Sequence, residues 1–333
     1  MGSVTPFAGI ATTSGGGARS STIPRSSRTG GSVGMTSAPS RSDSLAVLVA
    51  GASGMLGTAL QEVLGKLGMR CAAPAEAEFD ITSPPAIREA VRGFSASLRD
   101  GERGVLVNAA AYTNVERAED DRELAFLVNE TGAANLARAA RDADLAFVHV
   151  STDFVFDGTK SGAYDETDQP NPVSVYGASK LAGERAVFYE MPDALVVRTA
   201  WVFAPVGANF PLKIVAAARE RGSLSVVTDE VGSPTYTVDL ARGILGLAGA
   251  GASGIYHLVG GGSCSRFELA REALRLTGLQ DVVVEPVSAR DFQMKAARPA
   301  NSVLDCSKAA VLGVTMPLWE DALARCLART LLS

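Results

Sequence analysis

The sequence has few of the residues on which metal sites, disulfides and membrane anchors depend. Its 333 residues include only four cysteines and two histidines. The cysteines form no C-x-x-C pair and the histidines stand alone, so the spacing of a metal site is absent and reduced thiols are expected. No apolar run approaches the roughly 20 residues of a membrane-spanning helix. With a net charge of −5, the whole chain offers no electrostatic basis for binding nucleic acid.

The first 44 residues differ in composition from the rest of the chain. Ser, Thr and Gly supply 11, 6 and 8 of these positions, and four arginines face one acid. Such a segment buries too little apolar surface to offset its ordering entropy, so we expect residues 1–44 to be disordered. Three interpretations stay open: a transit peptide, a plain flexible tail, or an extension upstream of a true start at Met35. The expected location is the cytoplasm, or a plastid or other organelle if the segment is a transit peptide.

From residue 45 the chain alternates short apolar runs with stretches of helical periodicity. This alternation is typical of a doubly wound α/β fold, whose parallel sheet is covered by helices on both faces. We predict strands at residues 45–50, 69–73, 105–107, 145–150, 195–198, 224–227, 255–259 and 282–287, and helices at 56–67, 87–98, 123–142, 266–277 and 318–331.

A glycine-rich segment, GASGMLG, links the first predicted strand to the first predicted helix. Gly51 permits a tight turn, Gly54 lets the backbone approach a pyrophosphate, and Gly57 lets the helix pack closely on the sheet. Backbone N–H groups at the start of the helix attract phosphates. The segment predicts a Rossmann-type dinucleotide site, although a plain strand–helix turn would also use such glycines.

The residues after the second predicted strand leave the choice between NADH and NADPH open. An acid about twenty residues beyond the glycines binds the ribose 2′-hydroxyl of NAD. The strand ends here without one, Glu76 and Glu78 follow slightly later, and no arginine is placed to receive a 2′-phosphate. The cofactor is therefore expected to be NADPH or NADH.

The alternation becomes looser after about Trp201. We therefore expect residues 45–200 to form the Rossmann-type domain. Residues 201–333 would form mainly a smaller substrate lobe, with some segments returning to the sheet. Open α/β sheets bind ligands at their carboxyl edge, so the lobe would lie over that edge and supply substrate contacts.

One tyrosine–lysine pair, Tyr176 and Lys180, has the spacing of a catalytic pair. With six tyrosines and six lysines in the chain, chance yields roughly 0.1 such pairs. Positions i and i+4 share a helix face, so we expect the ammonium to lie beside the phenol and to lower its pKa. The pair would then exchange a proton with a carbonyl. A surface tyrosine beside a solvated lysine is the alternative.

Small polar residues follow two other predicted strands. The strand over 145–150 runs into Ser151 and Thr152, and a hydroxyl from either would donate to a carbonyl oxygen that gains charge during hydride transfer. A strand-end hydroxyl that satisfies a nearby turn is the alternative. The strand at 105–107 ends in Ala109, Ala110 and Ala111, which suit a surface against a cofactor or tight helix packing equally.

Several segments resemble the extended short-chain dehydrogenases and, more narrowly, the dTDP-4-dehydrorhamnose reductase family. The resemblance covers nearly everything after residue 44 and implies the Rossmann-type fold. The similar segments are GASGMLG (51–57), NAAAYTNVERAE (108–119), STDFVFDG (151–158), YGASKLAGE (176–184), RTAWVF (198–203), VTDEVGSPTYT (227–237), YHLVG (256–260) and ARPANSVLDCSK (297–308).

The resemblance implies an enzyme of nucleotide-sugar biosynthesis that reduces the C4 ketone of a dTDP-4-keto-6-deoxy sugar with NADPH or NADH. By this similarity Tyr176 would donate the proton, Lys180 would be its electrostatic partner and bind the ribose, and Thr152 would polarise the carbonyl. The similarity also places Asp153 and Trp201 near the sugar nucleotide; Gly54, Met55 and Leu56 at the pyrophosphate, in the turn that Gly51 and Gly57 flank; Asp80 and Ile81 near the adenine; and Ala109, Ala110 and Ala111 on the nicotinamide side.

Other consequences of the resemblance are less direct. Some members form a metal-linked dimer through glutamates, but Val238 stands where one is expected, so we expect no metal and either a monomer or a homodimer. The sequence is also similar to the β subunit of methionine adenosyltransferase, which binds NADP and acts as a partner of the catalytic subunit. The TAWVF segment with Trp201 favours the reductases over this alternative and over an epimerase.

Overall fold

The computed structural model describes residues 10–11 and 44–331. In chain order the strands are β1 (Ile10–Ala11), β2 (Ser44–Ala50), β3 (Arg70–Ala72), β4 (Glu102–Asn108), β5 (Ala146–Thr152), β6 (Leu195–Thr199), β7 (Val202–Phe203), β8 (Ser223–Val227), β9 (Val231–Gly232), β10 (Thr235–Tyr236), β11 (Gly254–His257), β12 (Cys264–Ser265) and β13 (Val283–Val287). The α-helices are α1 (Met55–Lys66), α2 (Pro84–Ala96), α3 (Val115–Ala118), α4 (Arg122–Phe126), α5 (Ala133–Asp142), α6 (Val175–Glu190), α7 (Phe210–Arg221), α8 (Thr237–Gly249), α9 (Arg266–Leu276), α10 (Ser307–Val311) and α11 (Trp319–Leu331).

The largest sheet has six strands in the order β11-β6-β5-β4-β2-β3, and every neighbouring pair is parallel. Every residue of β2 after Ser44 is buried, because helices cover both faces of the sheet and leave no alternating polar face. The chain leaves β2 for β3 on one side and then returns to β4 on the other. This doubly wound order confirms the predicted fold class. It also creates a crevice at the carboxyl ends of β2 and β4, where folds of this class bind ligands.

Helices cover both faces of this sheet. Residues of α1 and α8 share one apolar cluster with β2, and residues of α2, α5 and α6 share another. Two helices, α7 and α8, were not predicted from the sequence. Ten residues of α8 are buried, so it lacks the polar face whose periodicity marks a helix in sequence.

A π-helical segment, Leu127–Gly132, interrupts the helix predicted at 123–142. Its Asn129 side chain accepts a hydrogen bond from Tyr112 N (2.8 Å) and donates one to Ser179 Oγ (2.9 Å). Gly183 packs against this turn so closely that a Cβ would lie 2.1 Å from the Asn129 carbonyl oxygen. The segment therefore ties α6 to the loop after β4, the two places that carry predicted site residues.

Residues after Trp201 contribute both to the large sheet and to smaller ones. β11 is the sixth strand of the large sheet, whereas β13 pairs in parallel with β8, which also pairs with β1. The domain boundaries stay a prediction. The predicted disorder of residues 1–44 falls outside the described residues, apart from Ile10–Ala11 and Ser44. Within the described ranges, no helix combines the length and the apolar character that crossing a membrane requires.

Candidate functional site

A cleft of about 580 Å³ lies at the carboxyl edge of the large sheet. It brings together every predicted site residue except one. These lining residues are Gly51, Gly54, Met55, Leu56, Asp80, Ile81, Ala109, Ala110, Ala111, Thr152, Asp153, Tyr176, Lys180 and Trp201. The exception, Gly57, is buried behind the turn in α1.

The glycine turn is built for close backbone approach. Gly51 has φ +77°, and a Cβ there would lie 2.5 Å from Ala110 N, so the segments that follow β2 and β4 meet at this glycine. A Cβ on Gly57 would lie 2.2 Å from the Gly51 carbonyl oxygen, so this glycine lets the helix lie close to the turn, whereas close packing on the sheet was predicted. The α1 N-cap, Gly54, offers no side-chain cap. The first N–H groups of α1 are therefore available to a phosphate, and the turn fits a dinucleotide.

Asp80 and Ile81, the predicted adenine contacts, also line the cleft. Asp80 Oδ1 accepts hydrogen bonds from the Thr82 backbone and side chain (both 2.8 Å), which orders the loop that includes Ile81. Glu76 also lines the cleft here, and Arg70 instead forms an ion pair with Glu102 (3.1 Å). The structure thus leaves the choice between NADH and NADPH open.

Tyr176 and Lys180 both line the cleft from α6, and the predicted lowering of the Tyr176 pKa by the Lys180 ammonium stays a prediction. Lys180 Nζ donates to Val150 O (2.7 Å) and lies 3.3 Å from His149 Nε2. Burial raises the pKa of Tyr176 to about 12, and the hydrogen bond with Thr152 opposes this shift without cancelling it. Burial also lowers the pKa of Lys180 to about 8. The tyrosine therefore stays protonated at neutral pH, as a proton donor must.

The two hydroxyls at the end of β5 have different partners. Ser151 Oγ donates to Glu184 Oε1 (2.5 Å), and Glu184 forms a buried bidentate pair with Arg198 (2.9 and 2.7 Å). Thr152 lies beside Tyr176 and donates to Asp153 Oδ1 (2.9 Å). Of the two hydroxyls that the sequence left open, only Thr152 is paired with the tyrosine.

Asp153 and Trp201 close the other end of the cleft. Burial raises the pKa of the Asp153 carboxyl to about 6. Trp201 has φ +46°, a conformation that bulky residues rarely adopt. Its ring packs against Gly232, where a Cβ would lie 2.4 Å from Cε2, and the Arg266 guanidinium lies 3.5 Å from the ring centroid.

Two arginines of the cleft were missed in the sequence analysis. Arg266 pairs with Glu230 (3.5 Å) and Arg298 with Glu116 (2.9 Å), and Arg298 Nε is buried without a hydrogen-bond partner. Arg298 belongs to the ARPANS segment, which was a usable signal. Arg266 begins α9 and carries no motif of its own.

A family model described as the RmlD substrate binding domain matches residues 45–332. The chain belongs to this family. The dTDP-4-dehydrorhamnose reductase of Mycobacterium tuberculosis is 40% identical over 290 residues, which cover 85% of this chain and 92% of that protein. The spore coat polysaccharide biosynthesis protein SpsK of Bacillus subtilis is 33% identical, with 83% of this chain and 95% of that protein covered.

Solved structures of this family share the fold. A dTDP-4-dehydrorhamnose reductase from Bacillus anthracis in complex with NADP superposes with a TM-score of 0.80 at 35% identity, covering 86% of this chain and all of that one. One from Clostridium acetobutylicum gives a TM-score of 0.79 at 34% identity, covering 85% and 98%. No three His, Cys, Asp or Glu side chains among residues 10–11 and 44–331 are grouped to hold a metal ion. The absence of a metal therefore stays a prediction.

Proposed function

We propose that the protein reduces the C4 ketone of dTDP-4-dehydro-L-rhamnose to dTDP-L-rhamnose with NADPH or NADH. The observation that carries this proposal is the meeting of Thr152 and Tyr176 at the carboxyl edge, in a cleft that also contains the glycine turn. The reductase from Mycobacterium tuberculosis, 40% identical over most of both chains, supports the same activity.

The residues of the turn would hold the dinucleotide. Backbone groups of Gly51, Gly54, Met55 and Leu56 would bind the pyrophosphate, with Gly57 behind them. Asp80 and Ile81 would contact the adenine, and Ala109, Ala110 and Ala111 would border the nicotinamide. When bound, the reduced nicotinamide supplies the hydride for the carbonyl carbon. The NADP complex of the Bacillus anthracis reductase supports this use of the cleft.

Residues on the opposite side of the cleft would donate the proton to the substrate. Tyr176 would protonate the ketone oxygen, because its phenol lies beside Thr152 in the cleft and is protonated at neutral pH. Thr152 would donate a hydrogen bond to the same oxygen as charge develops there. Lys180 would stabilise the phenolate left after proton donation and bind the ribose. Asp153 would face the sugar, and Trp201 would lie against the sugar nucleotide.

A direct assay tests this function. The absorbance of NADPH or NADH should fall only when a dTDP-4-keto-6-deoxyhexose is added, and the product should be the 4-hydroxy sugar. Dinucleotide binding without turnover on any such sugar would favour the alternative, a regulatory subunit of methionine adenosyltransferase. The hydroxyls of Thr152 and Tyr176, which lie together in the cleft, favour the reductase, because a subunit that only binds NADP needs no proton donor.

The protein would act on its nucleotide-sugar substrate as a monomer or homodimer, which sedimentation of the purified chain would distinguish. It would work in the cytoplasm, with a plastid or other organelle as the alternative. A fluorescent reporter fused to residues 1–44 would separate the two locations.

A further inference from the structure

His149 lies behind the cleft and in contact with Lys180, although no motif marks it. It is on β5 and is 1% exposed, as are Asn108 on β4 and Lys180 on α6. His149 Nδ1 lies 3.0 Å from Asn108 Nδ2, and Nε2 lies 3.3 Å from Lys180 Nζ. The imidazole therefore joins the end of β4 to the lysine of the proposed proton-donating pair.

A backbone donor determines which way the Asn108 amide points. Ala110 N donates to Asn108 Oδ1 (3.1 Å). Reversing the amide would set its NH₂ group against this backbone N–H, two donors with no acceptor between them. The NH₂ group of Asn108 must therefore face His149, and Nδ1 of the imidazole must accept from it.

This orientation selects one histidine tautomer. A neutral imidazole carries one proton, so an accepting Nδ1 places that proton on Nε2. The Nε2–H group then points at Lys180 Nζ. A neutral amine has a lone pair that accepts this proton while one of its own hydrogens reaches Val150 O. An ammonium has no lone pair and would face Nε2–H as a second donor.

We propose that Asn108 and His149 form a tautomer lock on Lys180, in which the imidazole presents its Nε2–H proton to the lysine and favours the neutral amine over the ammonium. The lock acts in the same direction as burial, which lowers the pKa of Lys180. Glu184, one turn along α6, opposes both, although Arg198 and Ser151 share its charge. Tyr176 and Asp153 are the other titratable groups of the cleft near this cluster.

The consequence rests on the proposed function: the charge that Lys180 offers to the ribose and to Tyr176 would be lost on the alkaline side of neutrality. His149 is then a positioning residue that acts through Lys180. Burial keeps the pKa of His149 itself well below its ordinary value, and the charge of Lys180 adds to this effect. The imidazole should therefore stay neutral as the lysine titrates.

Nitrogen-15 NMR of histidine-labelled protein tests the lock without any substrate. The chain has only two histidines. His257 Nδ1 faces the carbonyl oxygen of Tyr164 (3.1 Å), so it must carry a proton and gives a reference of the opposite tautomer. We expect His149 as Nε2–H and His257 as Nδ1–H, assigned with His257→Gln. An Nδ1–H tautomer or an imidazolium at His149 would overturn the proposal, whatever the activity assay shows.

The second test is the sign of a pH shift. Dinucleotide affinity, measured by fluorescence, should fall as pH rises through the pKa of Lys180, and His149→Leu should move this fall upward by about half a unit or more. If Nε2 instead accepted a proton from the ammonium, the same change would move it downward. His257→Leu, which removes the other buried imidazole, should leave the midpoint unmoved. A downward or absent shift in a folded His149→Leu protein contradicts the lock, and if this variant does not fold, the NMR result decides.

Discussion

Where the cleft borders the ends of β2 and β4 its lining includes the glycine turn and the alanines after β4, whereas the end beside β5, β6 and α9 includes several buried ionisable side chains. The first end depends on missing atoms, since a Cβ at Gly51 would lie 2.5 Å from Ala110 N. The second end contains Asp153, Lys180 and Arg266. Burial raises the pKa of Asp153 and lowers the pKa of Lys180 and of Arg266, so it favours the neutral form of each group. Substitutions at the first end should therefore act through steric clashes, and substitutions at the second end should act through changes in charge.

Substitutions at the two ends of the cleft should therefore have different effects. Changes at the glycine end should alter stability and dinucleotide affinity, because the backbone has to move. Changes at the ionisable end should alter the rate of turnover and its pH dependence where the side chain faces the substrate, and stability where it pairs with a buried charge.

The largest effect is expected at the ionisable end, from Tyr176→Phe. The substitution deletes only the phenolic oxygen, and a general acid typically contributes about 10²–10⁴-fold to the rate. We expect kcat to fall by this factor while the Kd of the dinucleotide persists. Tyr189→Phe, on the same helix but 86% exposed, is the matched control. Wild-type turnover in the Tyr176→Phe enzyme would remove the tyrosine from the mechanism.

The next largest effect is expected at Thr152, and it should differ in kind from the effect at the adjacent Ser151 of β5. Thr152→Val should lower kcat by roughly 10²–10³-fold, the usual result of losing one oxyanion-type donor. Ser151→Ala should instead lower the free energy of unfolding by about 1–3 kcal/mol, because Glu184 loses a buried partner. Turnover and urea denaturation of both variants would check this division. Equal losses of kcat would show that the two hydroxyls share one role.

The glycine end could be predicted from sequence because its constraints are local. The spacing of Gly51, Gly54 and Gly57 encodes a turn, a close approach and a packing distance within seven residues. The strands could also be predicted, because each strand of a parallel sheet covered on both faces is a continuous apolar run in the sequence. The fold class was therefore predictable, whereas α8, buried on nearly all sides, gave no periodic signal.

The ionisable end could be predicted only in part, because its electrostatics depend on tertiary contacts. The i, i+4 spacing placed Tyr176 and Lys180 on one helix. It did not show that Lys180 turns toward Val150 O and His149, residues thirty or more positions away in the chain. For the same reason His149 was seen as an isolated histidine, and Arg266 reaches Trp201 only through the packing of α9.

A smaller effect is expected from Gly57→Ala at the glycine end. The new Cβ would lie 2.2 Å from the Gly51 carbonyl oxygen, and such overpacking typically costs about 1–3 kcal/mol of stability. Because the turn must shift, dinucleotide affinity should fall as well. Gly65→Ala, in the same helix with nothing within 4 Å of its Cβ, should stabilise by roughly 0.5–1 kcal/mol. Thermal melting with and without NADPH would compare them, and equal melting temperatures would contradict the steric account.

The smallest effect should come from the charge of Asp153. Burial raises the pKa of this carboxyl from 3.8 to about 6, so the neutral form persists up to that pH. Above it, a carboxylate stands near the oxygen that gains negative charge and holds the Thr152 hydroxyl (2.9 Å). As pH rises through about 6, kcat should therefore fall by up to about tenfold, which corresponds to ~1.4 kcal/mol. Asp153→Asn cannot ionise, so its profile should be flat over this range. A profile that rises with pH in the wild type would reverse the sign of this argument and assign Asp153 a role as a charged group.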